Sequence, residues 1–288
     1  MQSFFKKLPR YSLRLLLAYL VYIFTGGVLA YLLPRQARNL PQTDSFYGIG
    51  RGPDRAVLVE DPQDAFARRV EVIRTAQSTL DVCYHCVKSG ETTECFFAEL
   101  LRAADRGVRV RVLLDGTVGG LSGARSNIAL ALRAHPNIEY RIYNPVDLLR
   151  PWEWNALLHD KFILADDRML LLGGRNIGDE YFAPPGYEGA VTYDRDVLVL
   201  NDLAGTPDSS ESVTAQAKIY MDTLWDAPET DKFGTLSPSR RADGLAAQEY
   251  LKETAARWEA AAPSFYLPSE PASQCAVPTQ RVTLLHNP

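Results

Sequence analysis

The chain has 288 residues, 46% of them hydrophobic and 23% charged, with a formal net charge of −4. That length supplies a full globular core with some chain to spare. Without the four positive residues among the first fourteen, the charge of the remainder falls to −8, a poor balance for nucleic acid, whose binding rests on neutralising phosphates.

In chain order, Leu15 to Leu33 is an uncharged 19-residue run, long enough to cross a bilayer as a helix. Lys6, Lys7, Arg10 and Arg14 precede it, and Arg35 and Arg38 follow. The positive-inside rule then puts the N-terminus in the cytoplasm and the rest of the chain outside. Two other readings stand beside this one: a signal peptide cleaved after Val28-Leu29-Ala30, and a re-entrant or reversed segment. Beyond it, strands and helices alternate: a strand at 56–60, a helix at 65–77, a strand at 79–87, and a helix at 92–107 ended by Gly107. A strand at 108–116, a helix at 126–136 and a strand at 138–145 follow, then a hairpin, a strand at 196–200 and a helix at 213–227. This alternation predicts an α/β sandwich with a mixed β-sheet flanked by helices. Four segments result: a stub and transmembrane or signal-anchor helix over 1–40, a lobe over 41–226, a linker with a polar, exposed helix over 227–279, and a terminal segment over 280–288.

The four cysteines stand at 83, 86, 95 and 275. Cys83 and Cys86 form a CxxC, but in a predicted strand rather than at a helix start, where a redox pair gains its low thiol pKa. A bridge to Cys95 and free buried thiols are both open, and with no second pair there is no zinc spacing. Trp152 and Trp154, beside Leu148 and Leu149, precede the hairpin. They read either as a lip at lipid-headgroup level or as packing beneath the loop.

The chemistry concentrates in residues 157–182, LLHDKFILADDRMLLLGGRNIGDEYF. An apolar run, the turn signal Asp166-Asp167 and a second apolar run predict a β-hairpin. Positions two apart share a strand face, so His159 and Lys161 point the same way. A neutral imidazole is a nucleophile near neutral pH, and an ammonium beside it can hold a phosphate oxygen. Asn176, just past the second strand, can donate to another and stabilise charge building on phosphorus. Asp166, at the hairpin tip, reads as structural. His85, His135 and His286 read as structural or surface residues. No metal or cofactor is required.

His159-x-Lys161, Asp166 after four more residues, and then Gly173-Gly174-x-Asn176 resemble the HxKx4D and GGxN signature of the phospholipase D superfamily. The longer GGRNIGDEYF resembles the first catalytic half of bacterial cardiolipin synthases of the two-HKD type. The resemblance covers roughly residues 46–288 and implies phosphodiester exchange through a phosphohistidine at His159. It also implies an acidic residue that orients this histidine, Asp196 or alternatively Asp194, and a substrate cleft including Gly174, Trp152 and Trp154. The partners it implies are phospholipids (phosphatidylglycerol and phosphatidylethanolamine) and the bacterial inner membrane, with the lobe on the periplasmic side.

A complete site in this family takes two signatures, and this chain carries one. Residues 280–288, QRVTLLHNP, echo 54–62, DRAVLVEDP, so 280–288 reads as the opening strand of a second lobe. Three functions follow: a phosphatidyltransferase completed by a second HKD lobe, a homodimeric phosphodiesterase or nuclease with one signature per chain, or a non-catalytic half that binds lipid headgroups or a partner lobe.

Overall fold

The computed structural model describes residues 10–32 and 47–286. Lys6, Lys7, Arg35 and Arg38, on which the expected membrane orientation rests, lie outside the described residues, as do Asn287 and Pro288 of the terminal echo. Helix α1 (Arg10–Leu32) contains a window, Ser12–Leu29, apolar and long enough to cross a membrane. A signal sequence passes the same test.

The remainder is built on one sheet. In chain order the elements are β1 (Asp54–Val59), α2 (Pro62–Thr75), β2 (Thr79–Tyr84), α3 (Glu91–Asp105), β3 (Arg109–Asp115), α4 (Ser126–Ala134), β4 (Ile138–Tyr143), β5 (Lys161–Ala165) and β6 (Met169–Gly173). Then come α5 (Asp179–Phe182), β7 (Asp196–Asn201), α6 (Val213–Trp225), β8 (Thr230–Lys232), α7 (Pro238–Ala261), α8 (Pro263–Tyr266), α9 (Ala272–Cys275) and β9 (Val277–Pro278). The strands lie in the order β8-β4-β3-β2-β5-β6-β7-β1-β9. β2, β3 and β4 run parallel, and the other pairings are antiparallel. This is the expected mixed sheet.

Side-chain alternation divides the core in two. Leu80, Val82 and Tyr84 of β2, with Ile163 and Ala165 of β5, pack into a large cluster that includes residues of α2, α3, α4 and α7. Cys83, Phe162 and Leu164 point the other way and pack with Val213, Ala217, Met221 and Trp225 of α6. The strands thus read as nearly continuous apolar runs because both faces are covered.

Three segments differ from the sequence expectation. β8 falls within the expected linker and pairs with the edge strand β4; three polar residues give no strand pattern of their own. The polar helix is α7, and it is not simply exposed. Gly244, Ala247, Gln248, Leu251, Thr254 and Ala255 form a narrow buried stripe along it, and the Gln248 amide donates to the Ala131 carbonyl at 2.8 Å. Small residues make that stripe, so an apolar count misses it. Residues 281–286 form no strand; Val282 and Leu284 pack instead against the α6 side of the core.

Candidate active site

The site lies where β2 and β3 end and β5 begins. Residues that terminate parallel strands face an open crevice there, the usual place for ligands on such sheets. Tyr84 of β2 pairs with Lys161 of β5, which brings the residue after Tyr84, His85, beside His159. Their ring centroids are 4.5 Å apart and the planes tilt by 51°. His159 lies two residues ahead of the strand and is exposed, whereas Lys161 is 5% exposed.

The Lys161 ammonium sits across one edge of the His159 ring, 3.0 Å from Nδ1 and 3.2 Å from Nε2, and donates to the His159 carbonyl at 2.6 Å. An ammonium can only donate, so the ring nitrogen it meets is an acceptor, as in a neutral imidazole. Burial holds the Lys161 pKa below its ordinary value, which weakens its grip on the proton while leaving a cation suited to phosphate.

Asp115, the last residue of β3, is fully buried and fixes the approach to His159. Its Oδ2 accepts from the Leu158 amide at 2.9 Å, while Oδ1 accepts from Thr117 and Val118 amides at 2.9 and 3.0 Å. His85 reinforces this from the other side, with Nδ1 2.9 Å from the Leu158 carbonyl. A carbonyl only accepts, so Nδ1 carries the proton in that contact. Burial depresses the His85 pKa, outweighing that bond.

Asn176 joins the site through the same strand end. Its Oδ1 accepts from the Cys86 amide at 3.0 Å and its Nδ2 donates to the Tyr181 hydroxyl at 3.2 Å. This fixes the amide orientation and leaves one N–H for another acceptor. Gly174 is small for a visible reason: a Cβ there would overlap the Asp194 carboxylate. Asp194 is exposed, and its charge acts on Lys161.

Asp196 sits elsewhere. Its Oδ2 accepts from Arg69 at 2.9 Å and Arg175 at 3.0 Å, and all three side chains are at most 1% exposed. Burial pushes its pKa up, but the two guanidiniums overcome that and hold it below the ordinary carboxylate range. No contact joins it to His159 among those of the described residues, whereas the charges of Asp160 and Asp194 both work on Lys161 against its burial. Asp166 occupies the tip of the β5–β6 hairpin in a left-handed conformation, φ 53°, which aspartate tolerates. Its carboxylate accepts from the amides of Gln77, Ser78 and Thr79 at 3.0, 2.8 and 2.9 Å. It therefore locks the hairpin to the start of β2, at the opposite end of β5 from His159. Trp152 packs edge-on against Tyr22 of α1 at 5.5 Å, and the Trp154 indole donates to the Asp147 carbonyl at 2.7 Å.

Beside His159, on the face of Asp160, opens a cavity of about 1030 Å³ lined in part by Tyr143, Leu157, Tyr220 and His286. The Tyr220 hydroxyl donates to Asp160 at 2.8 Å, and its ring stacks on His286 at 4.2 Å.

His85 and Asp115 had no motif to announce them. Their signal is positional: each closes or follows a parallel strand whose end faces the crevice.

The family model described as "Cardiolipin synthase, PLD-like domain" matches residues 70–199, the stretch from α2 to β7 that holds every residue named at this site except Tyr22, Arg69, Tyr220 and His286. Cardiolipin synthase C of Escherichia coli K12 is 39% identical over 152 residues, which are 49% of this chain and 31% of that protein. A protein of Helicobacter pylori described as uncharacterized is 40% identical over 138 residues, 44% of this chain and 27% of its own. The matches thus span about a third or less of the relatives' lengths. Among solved structures, NucT from Helicobacter pylori aligns with a TM-score of 0.48 at 14% identity, covering 62% of this chain and 99% of that one. Residues 70–199 thus match a phospholipase D-like domain of the cardiolipin synthase type.

Proposed function

We propose that this chain carries one catalytic half of a phosphatidyltransferase of the cardiolipin synthase type. The observation that carries the proposal is the exposed His159 ring with the buried Lys161 ammonium across its edge at 3.0 Å. In this reading His159 attacks the phosphorus of a phospholipid such as phosphatidylglycerol. The P–O bond to the headgroup alcohol breaks, and a phosphatidyl–histidine bond forms. Lys161 and the free N–H of Asn176 take the charge that develops on the non-bridging oxygens. His85 and Asp115 hold the backbone that aims the ring. A hydroxyl of a second phospholipid then attacks phosphorus, and His159 leaves with its ring restored. The proton needed by the departing alcohol, and removed from the incoming one, passes through a second histidine brought by another lobe or another copy of the chain. Metal and cofactor take no part in this sequence of steps. The identity of the chain's matched relatives and the apolar helix α1 support a lipid substrate and a membrane setting.

The test is incubation of the full chain, in vesicles of phosphatidylglycerol and phosphatidylethanolamine, with mass spectrometry of the lipids and His159→Ala in parallel. Cardiolipin that appears only with His159 present supports the transferase. Phosphatidic acid in its place would make the chain a hydrolase.

A further inference from the structure

The segment between β4 and β5 is a braced loop. Asn144 adopts a left-handed conformation, φ 45°, and its amide donates to the carbonyls of Glu153 and Ala156 at 2.7 and 2.9 Å. Asp147 accepts from the Leu149 amide at 2.8 Å, and Arg150 bridges Asp147 and Glu153, both at 3.0 Å. The polar groups of the loop therefore face one another. Its outward tips are apolar: Val146, Leu148 and Leu149 are 56%, 65% and 68% exposed.

Helix α1 lies against this loop. The Tyr19 hydroxyl donates to the Leu148 carbonyl and that of Tyr22 to the Leu149 carbonyl, each at 2.6 Å. Trp152 packs on Tyr22 and across Gly26, where a Cβ would overlap the indole. On the helical wheel, Leu13, Leu17, Leu20 and Phe24 fall on the side opposite Tyr19, Tyr22 and Gly26, and all four are exposed. The loop tips border α1, and the apolar side chains the two expose are of the kind that takes a cover. Contact with α1, the described helix apolar enough for a membrane, selects a lipid leaflet as that cover.

We infer that loop 145–154 is a membrane-inserting lip, clamped to α1 through Tyr19, Tyr22 and Gly26, that sets the mouth of the His159 site at the lipid-headgroup plane. The paired charges of Asp147, Arg150 and Glu153 keep the lip at headgroup depth, where tryptophan is also favoured. While the clamp holds, the Tyr19–Gly26 stretch of α1 lies at the same depth. The residues just after the lip, Asn155, Ala156 and Leu157, line the cavity beside His159, so a phospholipid phosphate meets it without leaving the bilayer. The inference deepens the transferase reading and rests on it only for what the substrate is; insertion itself needs no turnover.

The test places the full chain in phosphatidylcholine–phosphatidylglycerol vesicles carrying bromine high or deep in the acyl chains and reads tryptophan emission. Shallow bromines are expected to quench at least a quarter of the emission and deep ones less. Trp152→Phe should remove more than half of that quenching. Leu149→Trp, at an exposed position that does not threaten folding, should add to it. Equal emission in brominated and plain vesicles, quenching undiminished by Trp152→Phe, no gain from Leu149→Trp, or stronger quenching by the deep bromines would overturn the inference. Because quenching is read without substrate, a chain that inserts yet makes no cardiolipin fails the functional proposal alone.

Discussion

Asp196→Ala removes the carboxylate that Arg69 and Arg175 share. Both arginines keep neutral acceptors: Ala65 carbonyl and Tyr84 hydroxyl for Arg69, Val59 and Glu60 carbonyls for Arg175. Those partners satisfy N–H groups but cancel no charge. Removing one partner of a buried ion pair costs about 3–5 kcal/mol, and two stranded cations place this case near 5 kcal/mol. Set against a total stability of roughly 5–15 kcal/mol, that is a third or more. A chain of this size loses about 2–4 °C of Tm per kcal/mol, so melting followed by circular dichroism should fall by roughly 10–20 °C. Asp194→Asn is the contrast. The residue is exposed, so stability should stay within about 0.5 kcal/mol, while cardiolipin formation falls at least tenfold, about 1.4 kcal/mol of transition-state stabilisation. An Asp196→Ala protein melting within about 2 °C of the parent would refute the structural role. A well-folded Asp196→Ala protein that is inactive, beside a fully active Asp194→Asn, would return the orienting role to Asp196.

Three further outcomes are expected. Burial and the neighbouring Asp179 and Glu94 raise the Glu91 carboxyl to about 7; the unfolded chain, with an ordinary value of 4.5, releases that proton first as pH rises. Stability due to this group therefore falls between about pH 4.5 and 7, and Glu91→Gln should flatten the difference between urea midpoints at pH 5 and pH 8; an unchanged difference contradicts the assignment. Asp166→Ala strips an acceptor from three backbone amides and should cost about 1–3 kcal/mol in urea unfolding, with activity per folded molecule retained. His85→Asn, which keeps an N–H for the Leu158 carbonyl, should preserve more turnover than His85→Phe, and a shifted pH–rate profile in the latter would mark positioning rather than packing.

Much of the fold was legible because its elements have strong local patterns. The strands of the sheet centre are apolar on both faces, the helices between them carry apolar positions at helical spacing, and Gly107 and the Asp166 turn punctuate them. The signature likewise named His159, Lys161 and Asn176, and the hairpin reading placed Asp166 away from them. What was illegible depends on partners distant in sequence. Nothing near Asp196 foretells Arg69, 127 residues earlier, so only the folded chain separates it from Asp194. His85 reads as an ordinary residue until the pairing of Tyr84 with Lys161 sets it beside His159. α7 hides its buried stripe in small residues, and β8 is defined by β4 rather than by its own side chains.

The central claim is that His159 becomes covalently phosphatidylated. The most direct measurement is mass spectrometry of the full chain after brief incubation with phosphatidylglycerol vesicles and an alkaline quench, which preserves phosphorus–nitrogen bonds. One added phosphatidyl group is expected on the peptide that carries His159, absent from His159→Ala and diminished in Lys161→Ala. Cardiolipin formation with no adduct at His159, or an adduct that persists in His159→Ala, would contradict it.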